Sequence, residues 1–461
     1  MGFGRRSIGT IGGVSLLLNN CLGPGVAEVP GLFQQSGFIP CIICFLLFGA
    51  AALVSGWMLM YAQSRVPYNL PRTEFAGLCR FYFSHTGFVV SQVFFILTMI
   101  VLCVGGVLQT AQLMDFLLVR IFGQSCAVQL YPNPFSISCS SSSSGFSVFP
   151  DGTYPISAGY LAAALVTVPF GFFPLEDNIK FQVFSCAVMI LCVLFWVIDF
   201  SLIGLEPSRV PAVGTSFSGL IGCALFNYCV AFSLPSWNNE RLENVSVIKS
   251  MGAAIGIASI MMFLIGMFGG TAFIPYYFTT KNLMDQIDEA NRPLSIAAMY
   301  LFSLANNITS IPVFSICIRY CLIEFDTVRP AIATALSVIV PWLLVLPFST
   351  GKGFSTIITY GGMVFLSVTG FIIPPILFYI AIKMDEDIKL DGITSPTRAF
   401  SRVMVDEHPS RSFSYIANLQ FSLIYGKRSL YARITAIVLC ALLVTSALLA
   451  LIMQIFSDAS N

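Results

Sequence analysis

Charged residues are scarce in this sequence. Only 10% of its 461 residues are Asp, Glu, Lys or Arg, whereas a soluble globular protein carries roughly 25%. A chain this poor in ionised groups cannot cover its surface with them, and 56% of its residues are apolar. A dominant soluble domain is therefore excluded, and we expect the lipid bilayer to be the main surroundings of the chain.

Histidine and an excess of one charge sign are missing as well. The two histidines, His85 and His408, lie in polar segments between apolar runs, so the membrane interior holds no histidine for metal binding or proton relay. The net charge is +1, which gives nucleic acid no basic face to bind. Paired intramembrane acids and nucleophile–base pairs are also absent. We expect no enzyme activity, no nucleic-acid partner and no metal or cofactor, apart from a possible coupling ion.

Long charge-free apolar runs are abundant instead. Each is long enough to be helical, although the fourth and the ninth are short for a membrane span, and strand-like alternation is absent. The sequence therefore predicts an all-α polytopic membrane protein that forms a single transmembrane domain over residues 1–461. We number the eleven predicted spans 1 to 11: residues 7–33, 39–62, 88–118, 157–173, 181–200, 217–234, 251–273, 294–322, 330–346, 354–382 and 431–456.

The distribution of Lys and Arg predicts the orientation of these spans. With a cytosolic N-terminus, 18 of the 23 basic residues fall on the cytosolic side, as the positive-inside rule requires. The C-terminus is then extracellular or lumenal, in a plasma membrane or a vacuolar or endosomal membrane. An outer loop holds Cys126 and Cys139, either as a disulfide or as free thiols. We interpret residues 385–430 as a cytosolic regulatory or docking loop.

Span 1 is interrupted by the sequence Leu22-Gly23-Pro24-Gly25. Pro24 lacks a backbone donor and the glycines lack side chains that would shield the freed backbone groups. Such a break indicates either a cavity that satisfies the backbone or a simple proline kink. At a break, the N–H groups of Gly25 and Val26 suit a carboxylate, whereas carbonyl groups near Leu22 and Gly23 suit an ammonium group. A zwitterion fits both ends.

Two further polar residues at membrane depth have open interpretations. Asn227 in span 6 either lines the same cavity or hydrogen-bonds a neighbouring helix. Glu28 lies about one turn beyond the break in span 1, and a carboxylate at membrane depth is a functional hypothesis by default. It acts as a gate, a selector of cationic substrates or a proton carrier, or its side chain extends to the outer interface.

The segment from Asn19 to Gly37 resembles the first-span motif of the amino acid/auxin permease family, within the amino acid, polyamine and cation transporters. Weaker motifs follow in family order in spans 6, 7, 8 and 10. The resemblance implies a LeuT-type fold with two inverted five-helix repeats, spans 1–5 and 6–10, and one extra helix. It also implies a substrate site between broken spans 1 and 6.

The same resemblance suggests a coupling-ion site. Asn19 matches the position of an ion-binding Asn in sodium-coupled members, and Thr309 with Ser310 matches the hydroxyl contribution from span 8. The alternative is an interhelical hydrogen-bond cluster without an ion. Protonation of Glu28 would instead indicate H⁺ as the coupling ion.

These observations predict a secondary active amino acid transporter that works by alternating access and is coupled to Na⁺ or H⁺. Two alternatives remain: a sensor with the transporter fold and little flux, and a transporter of another small zwitterionic or cationic metabolite.

Overall fold

The structure is a computed structural model that describes residues 5–66, 73–141, 147–150, 152–274, 283, 286–287, 290–324, 328–350, 357–390 and 427–460. Most of the predicted cytosolic loop at 385–430 lies outside these residues, as does part of the Ser-rich segment at 138–144.

Helices form most of the described chain. The first half of the chain contains α1 (Thr10–Cys21), a 3-10 turn (Pro24–Glu28), α2 (Val29–Ser36), α3 (Phe38–Ser64), α4 (Phe75–Tyr82), α5 (His85–Phe122), α6 (Ala158–Thr167) and α7 (Leu175–Ile203). The second half contains α8 (Ser218–Asn227), α9 (Leu234–Glu240), α10 (Val247–Ala272), α11 (Pro293–Glu324), α12 (Pro330–Val345), π-helical turns (Ile357–Leu366 and Val368–Ile372), α13 (Ile373–Leu390) and α14 (Lys427–Ser460).

Eight helices in the described part of the chain are long and apolar enough to cross a membrane. Predicted spans 1 and 6 are not among them, because each is divided into two shorter helices. Predicted span 4 corresponds to a shorter apolar helix, Ala158–Phe172. The protein is thus a mostly helical, multi-pass membrane protein, and the total of eleven spans stays a prediction.

A small antiparallel sheet between α5 and α6 corrects the all-α prediction. Strands β1 (Ser125–Gln129), β2 (Ser136–Ser140) and β3 (Pro155–Ser157) pair in the order β2–β1–β3. Cys126 lies opposite Cys139 in the ladder, and the two form a disulfide. The sequence left this pairing open because a thirteen-residue separation also fits two free thiols.

The buried carboxylate of Asp115 holds this sheet against α5. It accepts hydrogen bonds from Ser125 Oγ at 2.7 Å, from Ser157 Oγ at 2.5 Å and from Gly159 N at 2.8 Å. Ser157 also caps α6, since its Oγ accepts from Tyr160 N. One acidic side chain at the end of a long helix therefore fixes both the sheet and the next helix.

The opposite face of the protein is closed by contacts between the start of α1 and the end of α9. The backbone N–H groups of Ser7 and Ile8 donate to Glu240 O at 2.9 and 3.1 Å. Glu240 Oε1 accepts from Tyr320 in α11, and its Oε2 accepts from Glu176 N at the start of α7. We call this face the N-side, because it carries the first described residues.

Candidate functional site

The first chain break separates α1 from α2. Helix α1 ends at Cys21, and Gly23 has extended backbone angles, φ −68° and ψ −171°, before the 3-10 turn begins at Pro24. Gly25 lies so close to α8 that a Cβ atom built on it would be 3.1 Å from Asn227 Nδ2. Glycine at this position therefore permits a close approach of the two elements.

The second chain break separates α8 from α9. Helix α8 ends at Asn227, and residues 228–233 are not helical before α9 begins at Leu234. Pro235 is in the first turn of α9, where its missing N–H is tolerated. The interruptions thus fall in the first helix of each predicted five-helix repeat, in agreement with the arrangement that a LeuT-type fold implies.

A cavity lies where the break in α1–α2 meets α5, α8 and α11. Its volume is about 10 Å³, the room that about one water molecule needs, so a larger ligand requires the lining to move apart. One part of its wall is apolar and aromatic, and the other part carries carboxamides and a hydroxyl. The lining residues are Asn19, Asn20, Gly23, Leu102, Gly106, Phe226, Asn306, Asn307, Ser310, Ile311 and Phe314.

Two adjacent asparagines in this lining are each fixed through their Nδ2 group. Asn19 Nδ2 donates to Gln182 O at 3.1 Å and to Gln182 Oε1 at 2.5 Å. Asn20 Nδ2 donates to Ser233 Oγ at 3.0 Å. The Oδ1 atoms of both asparagines are buried without a hydrogen-bond partner among the described residues. An unsatisfied buried acceptor costs about 1–3 kcal/mol, so this arrangement needs a compensating ligand or water.

The residues of the predicted ion site are joined by hydrogen bonds. Gln182 accepts from Asn19, and its Nε2 donates to Thr309 O at 2.8 Å. Thr309 Oγ1 donates to Ala305 O at 2.9 Å. Ser310 instead lines the cavity. This geometry contains the interhelical hydrogen bonds of the alternative interpretation, while the Na⁺ site stays a prediction.

The residues predicted to bind substrate are only partly assembled around the cavity. Gly23 lines it, whereas Leu22, Gly25 and Val26 lie in the break without lining it. The N–H of Val26 already donates to Gly23 O at 3.2 Å, so it is engaged within the turn.

The other two predicted residues are Asn227, the last residue of α8, and Glu28, the last residue of the 3-10 turn. Asn227 donates to Cys223 O at 2.9 Å, and its Oδ1 has no partner among the described residues. Glu28 is half-buried at the end of the turn. Neither residue lines the cavity, and both predicted roles stay predictions.

Four buried amides near these residues were not predicted from the sequence: Asn20, Gln182, Asn306 and Asn307. Three of them line the cavity, and Gln182 joins Asn19 to Thr309. The sequence does contain a signal for these residues. An amide in a charge-free apolar run is costly in lipid and therefore indicates either a functional role or a contact between helices. The sequence interpretation considered only charged residues and positions matched to the family motif.

A second polar cluster lies on the N-side, away from the cavity. Glu74, which precedes α4, is buried and accepts from Ser236 Oγ at 2.5 Å and from Asn239 Nδ2 at 2.8 Å. Burial raises the pKa of Glu74 to about 8; hydrogen bonds from Ser236 and Asn239 oppose the shift, and the charges of Glu324 and Glu240 add to it. The carboxyl is therefore largely protonated at neutral pH.

Comparison with known proteins defines the fold. The closed conformation of MHP1, a nucleobase-cation-symport-1 family transporter with bromovinylhydantoin bound, is similar over 96% of this chain and 94% of that chain, with a TM-score of 0.56 and 13% sequence identity. The fold is MHP1-like. A model of the tryptophan/tyrosine permease family matches residues 6–141, less than a third of the chain. No curated protein sequence matches.

The predicted resemblance to the amino acid/auxin permeases was wrong. The family model that covers the motif at Asn19 to Gly37 is that of the tryptophan/tyrosine permeases. Glycine and proline at a chain break meet a requirement of the fold, and such residues do not distinguish one family from another. The matched family and the structural neighbour are transporters and not enzymes, in agreement with the prediction that this chain is not an enzyme.

Proposed function

We propose that this protein is a secondary active transporter of small substrates and that it carries amino acids by alternating access. The observation that carries the proposal is the cavity at the meeting point of two broken helices, α1–α2 and α8–α9. Broken helices present free backbone groups at membrane depth, and these persist where protein or a cavity satisfies them. The same feature builds substrate sites near the midplane in transporters with inverted repeats.

The lining of the cavity supports an amino acid with an aromatic side chain. Phe226 and Phe314, with Leu102 and Ile311, provide an apolar wall for a ring. The carboxamides on the other side provide polar partners. The family that matches residues 6–141 is named for tryptophan and tyrosine, and both amino acids combine a ring with a zwitterionic head group.

We propose that transport does not require Na⁺ at the position of Asn19 and Thr309. The amide of Gln182 lies between these residues and gives its Nε2 donor to Thr309 O. The positively polarised hydrogen of this donor disfavours a cation beside the Thr309 carbonyl. H⁺ is then the favoured coupling ion.

We further propose that the N-side faces the cytosol and that the chain lies in a plasma, vacuolar or endosomal membrane. The excess of Lys and Arg on the N-side supports this orientation. The disulfide at Cys126 and Cys139 follows α5 on the other face, where an oxidising compartment would stabilise it.

Uptake into proteoliposomes tests the proposal. The purified full chain is reconstituted and offered radiolabelled amino acids under an imposed pH gradient, with Na⁺ or with choline. We expect accumulation of at least one aromatic amino acid above its external concentration. Failure of every amino acid to move or compete would exclude amino acid transport.

A second candidate substrate class is a flat nitrogen heterocycle. Four asparagines line the cavity, and carboxamides pair with the donor and acceptor edges of such rings. The similar MHP1 structure contains bromovinylhydantoin. Uptake of nucleobases or hydantoins without uptake of amino acids would favour this class. Substrate-dependent binding without flux would favour the sensor.

A further inference from the structure

Asn19 and Asn20 are oriented by different parts of the molecule. The Nδ2 of Asn19 is held by Gln182 in α7, and the Nδ2 of Asn20 is held by Ser233 in the second chain break. Both side chains are more than nine-tenths buried and both residues line the cavity. Asn19 Nδ2 makes two hydrogen bonds and Asn20 Nδ2 makes one, and the side-chain atoms of this pair left with no partner among the described residues are the two Oδ1 acceptors.

Two unpartnered carboxamide oxygens on residues that line one cavity suit a ligand with several N–H donors. A primary ammonium group has three donors and no acceptor, and hydrogen bonds from a charged donor are stronger than neutral ones. Neutral amides can accept these bonds without an unpaired buried charge in the empty state, which would be costly at membrane depth.

We propose that Asn19 Oδ1 and Asn20 Oδ1 form a subsite that binds the primary ammonium group of the ligand. The proposal rests on the proposed function for the identity of the ligand class, but the subsite is defined by the unpartnered oxygens. In this proposal the two Oδ1 atoms are the partners of the amino group, in place of the carbonyl groups near Leu22 that were expected from the sequence. Because Asn20 Nδ2 donates to Ser233 Oγ, the position of the second chain break also determines the orientation of the Asn20 side chain in the subsite.

The apolar part of the lining favours an organic ammonium ion over a bare cation. Na⁺ prefers a shell of oxygen ligands, whereas the wall beside the asparagines includes Phe226, Ile311 and Phe314. An organic ammonium ion places its charge on the amides and its carbon atoms on this wall.

Binding to the purified full chain in detergent tests the subsite without requiring flux. Dissociation constants are measured by calorimetry for L-tryptophan, L-tyrosine and L-alanine, and for their analogues that lack the amino group: indole-3-propionate, 3-(4-hydroxyphenyl)propionate and propionate. We expect at least one amine to bind about tenfold or more tighter than its analogue. Na⁺ alone, against choline, is the third probe.

Three variants assign this preference. Asn20→Leu removes the acceptor at similar size, so we expect amine affinity to fall about tenfold to a hundredfold while the analogue changes about twofold or less. Asn20→Asp keeps an oxygen at this position, and we expect it to retain the preference for the amine. Asn178→Leu is the matched control, because Asn178 is a buried amide outside the cavity that donates to Phe170 O and Pro174 O.

The outcomes separate this inference from the transport proposal. An amine preference that survives Asn20→Leu, or that is lost equally in Asn20→Asp or Asn178→Leu, overturns the subsite. Failure of all three amines to bind, or an effect of Asn20→Leu confined to Na⁺, also overturns it. Amine binding that depends on Asn20 in a protein without uptake supports the subsite and rejects transport. Uptake by a protein that shows no preference for the amine supports transport and rejects the subsite.

Discussion

Asn20 Nδ2 donates to Ser233 Oγ at 3.0 Å, and this hydrogen bond joins the first broken helix to the second. Asn20 lies just before the break at Gly23, and Ser233 lies just before α9. The N-side halves of the two broken helices, α1 and α9, are also joined by the bonds from Ser7 and Ile8 to Glu240. Opening the cavity toward the N-side therefore requires these contacts to move together or to break.

Substitution of Gly25 tests the close approach of the two breaks. We expect Gly25→Leu to lower uptake to below about 10% of wild type, because a side chain there must displace Asn227 and overpacking costs about 1–3 kcal/mol. Gly256→Leu in α10 is the control, since a Cβ atom at Gly256 meets no atom within 4 Å. Initial uptake rates per reconstituted protein provide the measurement. Equal rates in both variants would remove Gly25 from the site.

Removal of Na⁺ tests the hydrogen-bond network at Gln182. We expect uptake driven by a pH gradient to be unchanged, within about twofold, when choline replaces Na⁺, because Gln182 Nε2 already satisfies Thr309 O. We also expect Gln182→Leu to lower the free energy of unfolding by about 1–3 kcal/mol, since it removes the buried side-chain hydrogen bonds that Gln182 makes with Asn19 and Thr309. Thermal unfolding in detergent measures the second effect. Uptake that disappears in choline would restore the Na⁺ interpretation.

The pH dependence of stability tests the buried Glu74. Its pKa is raised from an ordinary 4.5 to about 8 in the folded protein, so the folded state binds more protons than the unfolded state between these values. The contribution to stability is complete below about pH 4.5 and is lost as pH rises through about 8. We expect wild type to lose up to about 1.4 kcal/mol per pH unit from this group. Unfolding midpoints between pH 5.5 and 7.5 measure the loss.

Glu74→Gln provides the comparison for this experiment. Gln cannot titrate, and it keeps a side chain of the same size beside Ser236 and Asn239. We expect the difference in stability between wild type and variant to change with pH in the stated direction. Parallel curves for the two proteins would show that Glu74 does not titrate in this range.

The disulfide provides a test of orientation. Cys139 is exposed and Cys126 half-buried in the sheet after α5, whereas the twelve free cysteines are buried or, for Cys440, half-buried. After reduction of intact cells or sealed vesicles, we expect a membrane-impermeant maleimide to label Cys126 and Cys139 only from the extracellular or lumenal side. Mass spectrometry of the labelled peptides identifies the sites. Labelling from the cytosolic side alone would reverse the proposed topology.

The sequence predicted the helical membrane character and the break at Gly23 to Gly25, because charge-free runs and a Gly-Pro-Gly cluster are local signals. The break after Asn227 was less clear, since Pro235 lies beyond the non-helical segment and belongs to the first turn of α9. The sheet at Ser125 to Ser157 was missed because its three strands are only three to five residues long and of mixed polarity.

The cavity was harder to predict than the break. Its lining brings Asn20 together with Leu102 and Asn307, and such a meeting depends on the packing of three separate helices and not on spacing along the chain. The bridging role of Gln182 likewise depends on contact between α7, α1 and α11. Polar amides could be recognised in the sequence, but their partners could not.

Concentrative uptake by the reconstituted protein is the decisive test of amino acid transport coupled to H⁺. Proteoliposomes are loaded at neutral pH and diluted into an acidic medium in which choline replaces Na⁺. Radiolabelled L-tryptophan or L-tyrosine is then added. The account predicts accumulation above the external concentration that collapses when a protonophore is added and falls in Gly25→Leu but not in Gly256→Leu. Equal internal and external concentrations for every amino acid in the panel would contradict it.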